Sequence, residues 1–224
     1  MKLSWQDLAQ YMDHTMLQAS ATKNDILKTV SEAKKYNTAS VCVNSYWASL
    51  VHEKLKGTDI KTVCVVGFPL GAMSTAAKVY EAKKAIIDGA DEIDMVINIG
   101  ELREENENAV LRDINAVAEE VHKKNSLLKV IIENALLTTS EKKNAVELTI
   151  KGHADFVKTS TGFSTSGATV EDVKLMKNIA GNKIKIKAAG GIHTLKAAED
   201  LIQAGANRLG VSGTVNILEE AKKR

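Results

Sequence analysis

Cysteine is scarce in this chain. Cys42 and Cys64 are the only two in 224 residues, both lie inside apolar runs, and they lack CxxC spacing; this argues against a disulfide scaffold and for a reducing compartment, the cytoplasm. Proline is scarcer still, with Pro69 alone, and no linker-like tract divides the sequence, so residues 1–224 read as a single domain. No apolar run approaches the length that crosses a bilayer. The opening Met1-Lys2-Leu3-Ser4-Trp5-Gln6-Asp7 also lacks the apolar core of a signal peptide. An excess of either charge is missing: 30 basic and 28 acidic residues leave a formal net charge of +2, too little to hold nucleic acid or an anionic membrane. The Lys-rich end Ala221-Lys222-Lys223-Arg224 suits a helix terminus better than a polyanion. His14, His52, His122, His153 and His193 are scattered without ligand spacing, so no metal is expected.

Short apolar runs alternate with segments of helical period along the whole chain. The runs are Ala39–Val43, Thr62–Val66, Ile93–Ile97, Leu128–Ile132, Asp155–Val157, Ile184–Ile186 and Arg208–Val211; their β-branched, continuous apolarity suits parallel strands covered on both faces. Between them lie Thr75–Asp88, Asn106–Lys124, Ser140–Lys151 and Thr194–Ala204, rich in Ala, Glu and Lys, with polar residues placed to cap their starts. A small repeat recurs in Gly89-Ala90-Asp91, Gly152-His153-Ala154-Asp155 and Gly205-Ala206-Asn207. Each copy ends a helix at glycine, where the left-handed conformation costs little, and leads straight into a strand. An eighth strand over Tyr11–Leu17, preceded by an N-terminal helix from about Ser4 to Gln10, would close a TIM (β/α)8 barrel. An open doubly wound sheet is the alternative, but no Gly-x-Gly-x-x-Gly follows the first strand.

Two of the strand-like runs carry a lysine toward a small polar loop. Lys158 ends Ala154-Asp155-Phe156-Val157-Lys158 before Thr159-Ser160-Thr161-Gly162, and Lys187 holds the matching place before Ala188-Ala189-Gly190-Gly191. An ammonium in an apolar setting is costly, and a second nearby makes it costlier. A lysine so placed has a lowered pKa and becomes an amine nucleophile able to form a Schiff base. Two solvated lysines on short edge strands are the competing reading. In a barrel, both would end neighbouring strands ~5 Å apart at the C-terminal mouth. Asp94, in Glu92-Ile93-Asp94-Met95-Val96, is too costly to bury unpaired; it is either a structural partner of a lysine or a proton carrier. Alternation also puts Lys183 and Lys185 on the face of Lys187, so either they emerge at the barrel bottom or the strand starts later.

Glycine-rich turns supply the remaining candidates. Ala189-Gly190-Gly191-Ile192 and Gly210-Val211-Ser212-Gly213-Thr214, the latter before a short terminal helix, follow the two strands after which such barrels bind phosphate. Cys42 is either a packed strand thiol or, carried toward the mouth, a site-lining one. Gly67-Phe68-Pro69-Leu70-Gly71 is either a substrate loop or a tight turn, while His52 and His122 fall on helical segments as surface residues.

In order along the chain, these segments closely resemble the deoxyribose-phosphate aldolase family of Schiff-base-forming, class I aldolases. The matching stretches are Asp13-His14-Thr15, Ser40-Val41-Cys42-Val43-Asn44, Val66-Gly67-Phe68-Pro69-Leu70-Gly71-Ala72 and Glu92-Ile93-Asp94-Met95-Val96-Ile97-Asn98-Ile99-Gly100. Lys129-Val130-Ile131-Ile132-Glu133, Phe156-Val157-Lys158-Thr159-Ser160-Thr161-Gly162-Phe163, Lys187-Ala188-Ala189-Gly190-Gly191 and Arg208-Leu209-Gly210 complete them.

The resemblance implies a TIM barrel that cleaves 2-deoxy-D-ribose 5-phosphate reversibly to acetaldehyde and D-glyceraldehyde 3-phosphate, with no metal or other cofactor. It implies Lys158 as the Schiff-base lysine, Lys187 as the ammonium that depresses its pKa, and Asp94 as a proton relay. Asp13 and Thr15 would belong to the polar network, and Gly162, Gly190, Gly191, Gly210, Ser212 and Gly213 to the phosphate end. A homo-oligomer, a dimer, is implied as well. The chain departs from the family where lysine is common near Gln18, threonine at Asn134, arginine at His193 and a second serine at Gly213; the last two touch the phosphate end. Rival readings are another Schiff-base aldolase or transaldolase on the same barrel, and a sugar-phosphate-binding barrel without catalysis.

Overall fold

The computed structural model describes residues 3–224; Met1 and Lys2 of the opening segment lie outside the described residues. Eight strands pair in parallel in chain order, and the last returns to the first to close a barrel. They are β1 Met12–Met16, β2 Ser40–Asn44, β3 Lys61–Val66, β4 Glu92–Val96, β5 Leu127–Ile131, β6 Phe156–Lys158, β7 Lys185–Ala189 and β8 Arg208–Val211. The strand expected over Tyr11–Leu17 is β1, and helix α1 (Trp5–Ala9) precedes it. Outside the barrel lie α2 Lys23–Tyr36, α3 Ala48–Leu55, α4 Thr75–Ile87, α5 Ile99–Arg103, α6 Glu107–His122, α7 Thr139–Lys151, α8 Val170–Ala180, α9 Leu195–Ala204 and α10 Thr214–Lys222. None of these helices is long and apolar enough to cross a membrane.

Side-chain oxygens of Thr22, Ser74, Asn106, Thr138, Thr169 and Thr194 accept backbone N–H groups at the starts of α2, α4, α6, α7, α8 and α9. Each satisfies a donor that the helix itself leaves free. Helix α10 differs: it starts at Gly213 with no side-chain cap. Its other end is pinned, since Lys222 Nζ lies 4.5 Å from the Trp5 ring centre and 4.4 Å from that of Tyr36, and Arg224 pairs with Glu199.

Strand alternation divides the core in two. Outward residues such as Val41, Val43, Ile93, Met95, Val130 and Val157 pack against the helices in one continuous apolar shell. The lumen is unusual for a barrel, where branched aliphatic side chains normally fill the layers. On the β1–β3 side Leu17, Cys42, Val63 and Val65 pack with Phe68. Much of the rest is charged, with Asp13, Glu92, Asp94, Lys129, Lys158 and Lys187 all buried.

The small helix-to-strand repeat is a register clamp. Asp91 donates its N–H to Thr62 O and accepts Thr62 N–H on its side chain, so β4 grips β3. Asp155 does the same to Leu128 of β5, and Asn207 to Ile186 of β7. A side-chain oxygen paired with the same residue's amide fixes one register, and the side-chain period of two then decides which residues enter the lumen. The glycines are less uniform than the sequence suggested. Gly89 and Gly205 have φ of 100° and 119°, but Gly152 has φ −81° and His153, at φ 60°, takes the left-handed place. Gly152 is needed for space: a Cβ there would lie 2.4 Å from Ile114 Cγ2.

One expectation about β7 is corrected, and one left open is resolved. The apolar run predicts a strand over Ile184–Ile186 that ends at Lys187, but β7 begins at Lys185 and continues to Ala189, so Lys187 is central. The small, buried Ala188 and Ala189 extend the strand past the point where apolarity by side-chain size falls off. Lys183 therefore precedes the strand, and Lys185 emerges exposed at the bottom, with Nζ 5.6 Å from the Phe156 ring centre.

Replacing Asp155 by Ala should leave Leu128 N–H without its side-chain acceptor and cost about 1–3 kcal/mol of stability. Urea unfolding measures the loss; the near-UV circular dichroism of the folded variant should stay that of wild type, because the clamp changes one hydrogen bond at the bottom of the barrel and leaves the packing elsewhere intact.

Candidate active site

Register brings the charged side chains together. Lys158 lies opposite Lys187, Lys187 opposite Arg208, and Asp94 opposite Lys129. Asp94 sits at the centre: its Oδ2 is 2.8 Å from Lys158 Nζ and 2.7 Å from Lys187 Nζ, and its Oδ1 is 2.9 Å from Lys129 Nζ. Lys187 also contacts Asp13. Asp13 Oδ1 takes Arg208 Nε at 2.8 Å and Ser40 Oγ at 2.6 Å. Arg208 reaches Glu92 at 3.2 Å, and Glu92 returns to Lys129 at 2.5 Å.

Burial and charge act differently on each member. Burial lowers the pKa of Lys158; Asp94 opposes this, and Lys187 lowers it further. Burial also works against Lys187 and Lys129 as cations, but Asp13 and Asp94 around the first, and Asp94 and Glu92 around the second, outweigh it and raise both. Burial works against the Asp94 carboxylate, and Lys129, Lys158 and Lys187 overcome it, holding Asp94 well below the usual carboxylate range. Lys158 alone among the lumen cations is pushed toward its neutral form, and burial is the leading cause, ahead of Lys187. Both causes are those the sequence pattern suggested, an apolar setting and a second lysine nearby.

A cavity of about 400 Å³ opens above Lys158 at the C-terminal mouth. Thr15, Leu17, Gln18, Thr161, Gly162, Phe163, Gly190, Gly191, His193, Gly210 and Ser212 line it. Asp13, Asp94 and Lys187 are fully buried below its floor, and Cys42 is buried in the adjoining apolar wall. Burial pushes the Cys42 thiol pKa up, which makes it a poor nucleophile. Gly213 borders the next cleft with Ser212, and a Cβ on it would meet open space. A larger cleft, about 880 Å³, lies at the opposite end beside Lys61, Lys83 and Glu120 and contains none of the lumen lysines. Among the described residues no group of three or more His, Cys, Asp or Glu is arranged to hold a metal ion.

Backbone proximity explains the glycines. A Cβ on Gly190, at φ 83°, would come within 3.2 Å of Gly162 Cα, and one on Gly167 would lie 2.1 Å from Gly190 O. The loops after β6 and β7 touch main chain to main chain, which no other residue permits. Gly210 makes room for side chains instead, because a Cβ there would press on Ala189 at 2.9 Å and on Lys187 Cε at 3.3 Å. The turn at Thr161 is held from the segment just after β5, where buried Glu133 accepts Thr161 N–H at 3.2 Å and also contacts its hydroxyl. Phe163 meets Phe68 edge-on at 5.3 Å across the mouth, so the Gly67–Gly71 loop contributes a wall to the site as well as a turn.

Sequence reasoning assigned no role to Lys129, Glu92 or Arg208. The signals existed: Lys129 is a lone lysine in an apolar run, as Lys158 is, and Glu92 lies two residues from Asp94, on the same face. Nothing in the spacing says that Arg208 would reach both Asp13 and Glu92.

Comparison with known proteins agrees with this geometry. Residues 8–219 match the family described as DeoC/LacD family aldolase. The chain is 55% identical over 213 residues to a deoxyribose-phosphate aldolase of Finegoldia magna, covering 95% of this chain and 99% of that one. It is 53% identical over 212 residues to one of Clostridium botulinum, with the same coverage. The fold is similar to the tetrameric deoxyribose phosphate aldolase of Aeropyrum pernix, with a TM-score of 0.92 at 30% identity over 99% of this chain and 94% of the other. It is also similar to an aldolase named QR15, with a TM-score of 0.93 at 38% identity over 97% of each chain. With the match running through nearly all of its length, this chain belongs to the DeoC/LacD family of aldolases.

Proposed function

We propose that this single-domain barrel cleaves 2-deoxy-D-ribose 5-phosphate reversibly to acetaldehyde and D-glyceraldehyde 3-phosphate through a Schiff base on Lys158. The observation that carries this reading is a lysine with a lowered pKa at the floor of an open pocket, in a chain of this family. Lysine at its ordinary pKa of ~10.4 is an amine in only about one molecule in a thousand at pH 7. A desolvated lysine presents a lone pair to the C1 aldehyde of the opened sugar. Loss of water leaves a protonated imine. As the C3 hydroxyl gives up its proton to the water released on imine formation, the electrons of the C2–C3 bond pass into that imine, giving the enamine of acetaldehyde and releasing glyceraldehyde 3-phosphate. Protonation at C2 and hydrolysis then free acetaldehyde and restore the amine.

Asp94 takes a part different from a simple relay. A carboxylate that accepts from three amines and is held well below its usual range is a weak base. It orients the Lys158 amine and then stabilises the cationic imine formed there. Lys187 and Asp13 support it from below. The phosphate is received by the N–H groups of Gly190 and Gly191, by Gly162 and Gly210 beside them, and by Ser212 and Gly213 at the uncapped start of α10. Helix N-termini favour anions through free donors and the helix dipole. Cytoplasmic residence is consistent with two free cysteines. We further infer a homodimer: Tyr46, Leu70 and Tyr80 are exposed and offer apolar contact area, and light scattering at micromolar concentration tests it.

Borohydride reduction in the presence of acetaldehyde should fix a two-carbon adduct on Lys158, and Lys158→Leu should abolish cleavage. An adduct on Lys187, or an active Lys158→Leu variant, would refute the assignment. In Asp94→Asn, adduct formation and exchange of acetaldehyde methyl protons with solvent should fall together, because imine formation itself is impaired. Trapping at the wild-type rate with exchange abolished would restore the relay role. Free deoxyribose should react on the order of 10²-fold less efficiently in kcat/KM, since charge-assisted hydrogen bonds contribute about 1.5–3 kcal/mol each. Gly213→Ser, for which there is room, should widen that gap; equal kcat/KM for the two sugars would remove the phosphate site from these loops.

A further inference from the structure

Six lumen side chains form a closed ring of alternating charge: Arg208, Asp13, Lys187, Asp94, Lys129, Glu92 and back to Arg208. Each cation touches two carboxylates, and each carboxylate touches two of these cations. Three positive charges meet three negative ones, so the ring is neutral before Lys158 is counted. Lys158 is the seventh ionisable member and has one partner, Asp94 Oδ2, already shared with Lys187. We propose that this ring keeps Lys158 in its amine form by charge parity, and that Arg208 and Glu92 act as positioning residues for the reaction although neither lines the substrate pocket.

The physical basis is the cost of an unmatched charge in a closed space. Asp13, Asp94, Lys129 and Lys187 are fully buried, Glu92 is nearly so, and the Arg208 side chain is only 14% exposed. A proton on Lys158 would be a fourth positive charge against three carboxylates, with no further acceptor to balance it. Arginine stays protonated throughout the working range, so the ring cannot discharge itself at Arg208. Of the other groups around Lys158, one is a buried carboxylate, Glu133 in the turn after β5, which accepts Thr161 N–H, contacts its hydroxyl and pairs with no member of the ring; the rest carry no charge that alters the count. From β2 comes Cys42, kept as a thiol by burial; from β3 only Val63 and Val65; and from the loop after β6 the uncharged Thr161 and Gly162. The loop after β7 adds His193 at the pocket wall. Lys187 is not a free ammonium beside the nucleophile: it is tied to Asp13 and Asp94, and the parity of the whole ring disfavours the proton on Lys158.

This inference rests on Lys158 being the nucleophile, and the test separates the two. The pH dependence of acetaldehyde trapping and of kcat/KM is measured for wild type, Arg208→Met, Glu92→Gln, the double variant and Arg208→Lys. Removing the Arg208 charge leaves an extra carboxylate for Lys158 to neutralise, so the acid limb should move up by roughly one pH unit, the effect of one charge at an effective dielectric of about 20. At the wild-type midpoint that is about a five-fold loss. Glu92→Gln leaves an extra cation, and the limb should move down by a similar amount. The double variant restores parity and should return near the wild-type limb, a rescue that two additive packing defects do not produce. Arg208→Lys keeps the charge and should keep the limb. If Arg208→Met does not fold, the near-isosteric Glu92→Gln and the charge-conserving Arg208→Lys still decide. Limbs that stay in place, move in the same direction, or separate further in the double variant overturn the ring. Wild-type trapping at a residue other than Lys158 overturns the nucleophile assignment instead.

Discussion

Asp94 accepts from Lys129, Lys158 and Lys187 at once, and most of what this barrel does follows from that contact. Burying one carboxylate against three amines is tolerable only if the surplus positive charge is met elsewhere, and Asp13 and Glu92 meet it. Breaking such a network at one member leaves a buried charge unpaired, which is far costlier than the net stability of an intact pair. The contact therefore constrains β1 and all five strands from β4 to β8 together. Its dependence on acid follows from sign. Asp13 and Asp94 have folded-state pKa values below their ordinary ones, so their contribution is complete above the unfolded carboxyl value of ~3.9 and disappears as pH falls through the depressed values.

Chemistry and stability are thus drawn from one set of side chains. The same lumen that would reject an unpaired ammonium pushes Lys158 toward its neutral form, and Lys158 lies at the floor of the open pocket. The apolar half of the lumen, Leu17, Cys42, Val63 and Val65 under Phe68, adds no acceptor that could hold Lys158 as a cation. Cys42 belongs to that wall, and its burial explains why a thiol beside a reactive aldehyde can be tolerated.

The mouth is organised by backbone. Contact between the main chains at Gly162, Gly167 and Gly190 sets the rim on one side, and the uncapped start of α10 sets it on the other. The capped helices have given an N–H to their own side chains; the start of α10 has no such cap. At the far end, the Asp91, Asp155 and Asn207 clamps lock alternate strand pairs, so the register that aims the lysines is set where no substrate reaches.

The alternation of strands and helices, the first and eighth strands that close the barrel, the ionisable residues Lys158, Lys187 and Asp94 in strand runs, and the glycine turns were legible along the chain. All of these leave local marks, because continuous apolarity, periodicity and an ionisable residue in an apolar run need no partner to be visible. Lys129 and Glu92 left the same marks and could have been found with them. What only the tertiary structure decided is relational. The central place of Lys187 in β7, the left-handed His153 in place of Gly152, and the double reach of Arg208 depend on neighbours distant in the chain. The lowered pKa of Lys158 reflects burial together with Asp94 and Lys187 from two other strands, and no segment of sequence carries that combination, because burial and Coulomb interaction act through space rather than along the chain.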